Sequence, residues 1–341
     1  MTLTRQTIAV LAALACIASC VASCVMAPST QPSLPMTPVL APEVAPPSLA
    51  AATSDPLHGD TRAHDPSLWI GNGGWYVFAT GPGLQRLHSD DGTEWKRLAP
   101  IFTRANLPAW WADAVPAHKG VDVWAPKLFE LGGRFHVMYS LSTFGKNTSA
   151  IGIASAESPD AADWRDDGLV LQSHAGDDFN AIDPDVFVDP DTGRVWMTYG
   201  SFWRGIRVTE LDARTLRPIG ATRFVADHQG GIEAPTLIRR GAWWYLFVSW
   251  DFCCRGVNST YNIRVGRSAS PTGPFVDQDG ADMLQGHGRL VEAGGLRWKG
   301  PGHQDVFGDV LVRHAYDAQD NGVSHLRIST LRWSPDGWPA P

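Results

Sequence analysis

Between residues 57 and 341, short apolar runs rich in Val, Ile, Trp, Tyr and Phe alternate with Gly, Asn and Asp. That is the pattern of strands and turns. The first stretch is the clearest. It predicts a strand from Pro66 to Ile70, a turn over Gly71-Asn72-Gly73-Gly74 and a strand from Trp75 to Thr80. Shorter runs at Arg86 to Ser89 and Trp95 to Leu98 follow. The same order returns at Lys127 to Leu131, Phe135 to Ser142 and Ile151 to Ser155, and again at Val186 to Val188, Val195 to Gly200 and Gly205 to Glu210. A fourth round runs through Thr236 to Arg239, Trp243 to Trp250 and Tyr261 to Ser268. A fifth runs through Asp305 to Val312, Arg313 to Tyr316 and Leu326 to Leu331. Helical periodicity is scarce; Ala105 to Ala114 accommodates one or two turns.

Each round opens on one motif. The openings read His64-Asp65-Pro66-Ser67, Trp124-Ala125-Pro126-Lys127, Ile182-Asp183-Pro184-Asp185, Ile232-Glu233-Ala234-Pro235 and Gly302-His303-Gln304-Asp305. Self-similarity at about 50–70 residues marks a propeller or array. The expected fold is therefore all-β, a five-bladed β-propeller with four-stranded blades. A β-sandwich is the alternative, disfavoured because the repeats recur at blade length. Proline at the first position of an inner strand costs no ladder hydrogen bond. It is expected to hold the residue before it extended, aiming that side chain at the axis.

Composition narrows the class. The net charge is −7, and no Lys/Arg cluster occurs. That argues against a nucleic-acid partner, which needs a basic surface. The chain has fifteen Trp; flat rings of this kind line carbohydrate clefts as well as packing propeller blades. At the N-terminus, Arg5 and the apolar run Thr7 to Ile17 form an export signal. The run falls short of the roughly 20 residues that span a bilayer. Cys20 and Cys24 each end a lipoprotein-like box. A lipid anchor and an ordinary secretory signal both stay open. The division expected is a signal at 1–24, a Pro/Ala/Ser-rich tether at 25–56 and a single catalytic propeller at 57–341. Past the signal only Cys253 and Cys254 remain, and they are adjacent. They form either a vicinal disulfide or two buried thiols.

Asp65 and Asp183 each stand directly before proline, at equivalent repeat positions, and Glu233 stands one residue earlier with a longer side chain. In a propeller the three converge on one central pocket. Three converging carboxylates suit glycosidic-bond hydrolysis: a base activates water, an acid protonates the leaving oxygen, and a third carboxylate keeps the acid protonated. His303 takes the matching place in the fifth repeat and would point at the axis among them, able to hold a hydrated cation or to bond a sugar.

The ordered run of motifs resembles glycoside hydrolase family 43, and within it the arabinan endo-1,5-α-L-arabinosidases. The matching segments include His64-Asp65-Pro66, Trp124-Ala125-Pro126, Ser142-Thr143-Phe144-Gly145, Asn180-Ala181-Ile182-Asp183-Pro184 and Gly200-Ser201-Phe202-Trp203. They continue through Ile232-Glu233-Ala234-Pro235, Cys253-Cys254-Arg255-Gly256, Gly300-Pro301-Gly302-His303 and Asp336-Gly337-Trp338-Pro339. The resemblance implies hydrolysis of α-1,5-linked arabinofuranose chains, in arabinan and pectin side chains, with inversion. It implies Asp65 as general base, Glu233 as general acid and Asp183 as the residue that tunes the acid and orients substrate. It also implies His303 beside a calcium ion, with no organic cofactor and a monomeric enzyme. Trp124 and Phe144 would be aromatic walls of the cleft, and His64, Asn180 and Ser201 its polar contacts. One position departs from the family: Lys127 stands where an acidic residue usually follows Trp-Ala-Pro.

Two rival readings remain at this point. An exo-acting arabinofuranosidase or β-xylosidase would share the motifs and differ in its loops. A non-catalytic glycan-binding lipoprotein should have lost a carboxylate, and this chain keeps all three.

Overall fold

A computed structural model of the chain describes residues 56–340. The export signal, Cys20, Cys24 and all of the tether but its last residue lie outside the described residues.

Five blades follow one another along the chain. Blade one is built from Ser67–Gly71, Gly74–Ala79, Gln85–Ser89 and Glu94–Leu98, with His58–Gly59 added in parallel at its outer edge. Blade two comprises Asp122–Leu131, Arg134–Leu141, Ser149–Ala156 and Arg165–Ser173, with the short Gly81–Pro82 paired to its inner strand. Asp185–Val188, Val195–Tyr199, Ile206–Leu211 and Pro218–Ala226 form blade three. Blade four is Ile232–Arg240, Trp243–Trp250, Asn262–Ser268 and Arg289–Ala293. The fifth blade carries Trp298–Phe307, Val310–Asp317 and Val323–Thr330. Its outer place is taken by the segment leading into blade one: Arg62 bridges His325, and Leu326 N–H donates to the Thr61 carbonyl at 2.8 Å. The ring is thus closed by residues before the first blade gripping the last, which leaves no open sheet edge at the seam.

The outer strands of blades two, three and four were not legible in the sequence pattern. In Arg165–Ser173 and Pro218–Ala226 most side chains are exposed or half-buried, so no apolar alternation marks them. The single strand expected over Asp305 to Val312 is two strands. The chain reverses at Gly308, φ +60°, between Phe307 and Val310. The helix is confined to Trp110–Ala114.

Apolar residues fill the spaces between blades. Each of five buried clusters joins one neighbouring pair. Phe78 and Tyr139 share the cluster between blades one and two, Met138 and Met197 that between two and three, and Trp196 and Leu246 that between three and four. Phe247 meets Leu311 between four and five, and Leu68 meets Val312 where five returns to one. The axis itself is polar, and that is where the repeat-opening residues point.

Candidate active site

The five repeat-opening positions share an unusual backbone. Asp65, Ala125, Asp183, Ala234 and His303 have φ of 51°, 46°, 57°, 53° and 47°. This corrects the expectation that proline holds the preceding residue extended. Left-handed φ is uncommon outside glycine and persists where surroundings over-determine it. The surroundings do so in one recurring way, a side chain capturing the residue's N–H. Asp65 N–H donates to His314 Nδ1 at 3.1 Å, Ala125 N–H to Thr80 Oγ1 at 2.8 Å and Asp183 N–H to Ser140 Oγ at 3.0 Å. His303 N–H donates to Ser249 Oγ at 2.9 Å. In each of these the acceptor lies on or just past the second strand of the preceding blade. At Ala234 the acceptor is Asp183 Oδ2 itself, 3.1 Å away. Each inner strand is therefore kinked at its entrance and stitched to the blade before it, which turns Asp65, Asp183 and His303 toward the axis.

A cavity of about 870 Å³ opens at that end of the axis. Every site residue expected from sequence lines it: Asp65, Asp183, Glu233, His303, His64, Trp124, Phe144, Asn180 and Ser201. Phe144 is 82 % exposed at the rim, and Trp203 and Phe252 are also exposed among its walls. Asn180 is buried with Oδ1 unpaired. Two of the supposed polar contacts do something closer to the chemistry. His64 Nδ1 sits 2.8 Å from Asp65 Oδ1, and Ser201 Oγ donates to Glu233 Oε2 at 2.7 Å.

The three carboxylates differ in charge state. Burial would raise Asp65, but His303, with Nδ1 at 3.1 Å, and His64 outweigh it and hold the carboxyl well below its ordinary range. Asp65 is thus ionised. Burial pushes Asp183 up to about 8, with Glu233 and Asp65 adding repulsion and His303 and the Ala234 N–H opposing. Glu233 is also raised, chiefly by burial, against the donated bonds of Tyr261 at 2.6 Å and Ser201. Near neutral pH the Asp183–Glu233 pair therefore retains a proton while Asp65 has none. His303 is lifted to about 9: burial opposes its charge, and Asp65, Asp183 and Glu233 favour it more strongly.

Sequence reasoning missed Thr80, Tyr261, His314 and Tyr316, which hold the carboxylates from behind. Nothing in their local sequence marks them. Tyr261 had one signal: a Cβ at Gly302 would collide with its ring, so the glycine beside His303 leaves room for the group bonding Glu233. Cys253 and Cys254 are joined as a vicinal disulfide and lie in the cavity wall.

Metal-ligating side chains cluster as His64 with Asp65 and His314, and as His64 with the two cysteines. The cysteines are disulfide-bonded and offer no thiolate. Calcium takes six to eight oxygens. Around His303 the carboxylates are already engaged by Thr80, the Ala234 N–H, Ser201 and Tyr261. They form no closed oxygen cage at His303, and the ligating side chains brought together among the described residues centre on His64.

An ionised carboxylate facing two that keep a proton, in a trough walled by exposed aromatic rings, is equipment for splitting a glycosidic bond. Fold and site together define a propeller glycoside hydrolase. The chain belongs to the glycosyl hydrolases family 43, whose family model matches residues 59–339. It is 45% identical over 285 residues to the extracellular endo-alpha-(1->5)-L-arabinanase 1 of Bacillus subtilis, covering 81% of this chain and 87% of that protein. Identity to the extracellular exo-alpha-(1->5)-L-arabinofuranosidase ArbA of Cellvibrio japonicus is 40% over 300 residues, with coverages of 81% and 85%. Among solved structures, the GH43 endo-arabinanase from Bacillus licheniformis superposes with a TM-score of 0.81 at 47% identity, covering 84% of this chain and 99% of that one.

Proposed function

We propose that the chain is an exported, monomeric endo-arabinanase that hydrolyses α-1,5-linked L-arabinofuranose chains with inversion. The observation that carries the chemistry is the split in protonation within one cleft. Asp65 is held ionised while Asp183 and Glu233 are pushed up. In this reading Asp65 takes a proton from water as its oxygen attacks the anomeric carbon. Glu233 gives its proton to the departing glycosidic oxygen. Asp183, bonded to the Ala234 backbone next to Glu233, holds one proton in common with that acid, since mutual repulsion keeps the two from ionising together, and it orients the sugar. Trp124 and Phe144 wall the subsites, and Asn180, with an unpaired buried oxygen, accepts a sugar hydroxyl.

Support for arabinan as substrate comes from the activities of the relatives above, and support for export from two of them being extracellular enzymes. A lipid at Cys20 or Cys24 remains part of the proposal. Incorporation of labelled palmitate into the full chain, lost on Cys→Ala substitution, tests it. The proposal also includes a hydrated cation at His303. Bound there it would offset the negative charge of the carboxylates, and it would have to displace one imidazole proton. Calcium titration of the purified enzyme, with proton release as the readout, tests this.

Product analysis decides the main reading. The domain would be incubated with linear arabinan, branched arabinan and xylan, alongside Glu233→Ala. A ladder of arabino-oligosaccharides from linear arabinan, absent in the control, is expected. Arabinose or xylose alone would move the assignment to an exo-enzyme, like the Cellvibrio relative. Binding without product would make the chain a lectin.

A further inference from the structure

Behind Asp65 a chain of hydrogen bonds runs to the vicinal disulfide. The Cys254 backbone N–H donates to Tyr316 Oη at 2.7 Å. Among the hydrogen bonds of the described residues the phenol proton has no other acceptor, so it is directed to His64 Nε2, 2.8 Å away. With Nε2 accepting, the His64 proton sits on Nδ1, which lies 2.8 Å from Asp65 Oδ1. A direction follows at every link, and the chain ends with an imidazole N–H donating to the carboxylate. Stacking on His314, with ring centroids 3.9 Å apart, keeps the His64 ring in plane for both bonds.

The far end of the chain is rigid for a covalent reason. Bonding adjacent cysteines closes a small ring through their shared peptide. Cys254 is held at φ +65°, a conformation a non-glycine residue keeps only when constrained. That conformation aims the Cys254 N–H at Tyr316. The disulfide also borders the substrate cavity, with Cys254 Sγ 3.8 Å from His64 Nε2.

We propose that Tyr316 is a positioning residue for Asp65, set in that role by the Cys253–Cys254 disulfide. The inference rests on Asp65 being the base. Tyr316 acts by fixing the tautomer and tilt of His64, and so the direction of the carboxylate lone pair that takes the water's proton. Reduction of the disulfide frees Cys254 to leave the left-handed region, and the chain is cut at its origin.

The test is a kinetic cycle on arabino-oligosaccharides with wild type, Tyr316→Phe, the double variant Cys253→Ser/Cys254→Ser and their combination. Tyr316→Phe keeps the buried ring. It is expected to lower kcat about tenfold to a hundredfold with KM nearly unchanged, the split expected when a reacting group is misaimed. The double serine variant is expected to lose a similar factor, and the combination no more than either alone. Wild type treated with a dithiol, which breaks the S–S bond to give two thiols and is itself oxidised to a disulfide, should match the serine variant once thiol titration shows two free thiols. Tyr316→Phe should be indifferent to that treatment. Wild-type kcat in folded Tyr316→Phe, or losses that multiply in the combination, would overturn the proposal. Asp65→Asn separates this from the reading beneath it. If Asp65→Asn stays active, the base assignment fails. If it is dead while Tyr316→Phe is normal, only the positioning role fails.

Discussion

Lys127 Nζ lies 2.7 Å from Asp185 Oδ1, joining blades two and three on the propeller axis. The same ammonium is 2.7 Å from Asp305 Oδ1 of blade five. The aspartates' other oxygens accept backbone and hydroxyl donors: Asp185 Oδ2 from Leu237 N–H, and Asp305 Oδ2 from Leu68 N–H and Ser67 Oγ. Burial opposes the charge on Lys127, but both aspartates favour it more, and its pKa is pushed up. One cation thus ties the axial strands of blades two, three and five to a common centre; blade one enters through Ser67 and Leu68, and blade four through Leu237.

Lys127→Met is expected to destabilise the domain by roughly 3–5 kcal/mol, because two buried carboxylates lose their counter-charge. Denaturant melts near neutral pH measure this. A smaller loss at pH 4 than at pH 7 is expected, since burial raises Asp185 and a protonated Asp185 no longer needs the ammonium. Equal losses at both would mean that packing, not charge, is the cause.

Lys127 also shows what the sequence could reveal. Its departure from the family pattern was visible, and so was its repeat position beside Asp185 and Asp305. That the three meet was not, because the meeting depends on blade closure. The converging carboxylates were legible for the opposite reason: an identical offset within a repeat becomes an identical place around the axis. The left-handed backbone at Asp65 and Asp183 was illegible, because its cause is a long-range bond from a neighbouring blade, which overrides the local preference set by proline. Outer strands such as Pro218–Ala226 hid because half-exposed residues carry no period.

Glu233→Ala is expected to lower kcat on linear arabinan by at least about 10²-fold, the usual share of a general acid. Affinity for arabino-oligosaccharides, read by calorimetry, should stay within a few-fold. Ser201→Ala, which removes one donor to Glu233 Oε2, should cost far less and leave the products unchanged. A Glu233→Ala enzyme with near-normal turnover would remove it as the acid.

Phe144 is 82 % exposed and packs little against the protein. Replacing it with alanine should leave the melting temperature unchanged and raise KM for arabinan several-fold. A drop in melting temperature with unchanged KM would assign the ring to the fold instead of the cleft.

The Asp183–Glu233 pair links activity and stability to pH with a definite sign. Asp183 sits at about 8 against an ordinary 3.8. Between those values the folded chain keeps a proton that the unfolded chain has released, so this group makes stability fall as pH rises and contributes no further slope above about 8. Activity needs the same proton, so kcat/KM should decline above roughly pH 8, the raised value of the pair. Asp183→Asn leaves Glu233 to ionise with no second carboxylate sharing its proton, and it removes a group that is costly to ionise. It should move the alkaline limb of kcat/KM to lower pH while raising the melting temperature at pH 9 relative to wild type. The two readouts shift in opposite functional directions, which a general packing defect would not produce. An Asn variant that is less stable than wild type at pH 9, or whose alkaline limb is unmoved, would mean that Asp183 does not carry the charge repulsion assigned to it.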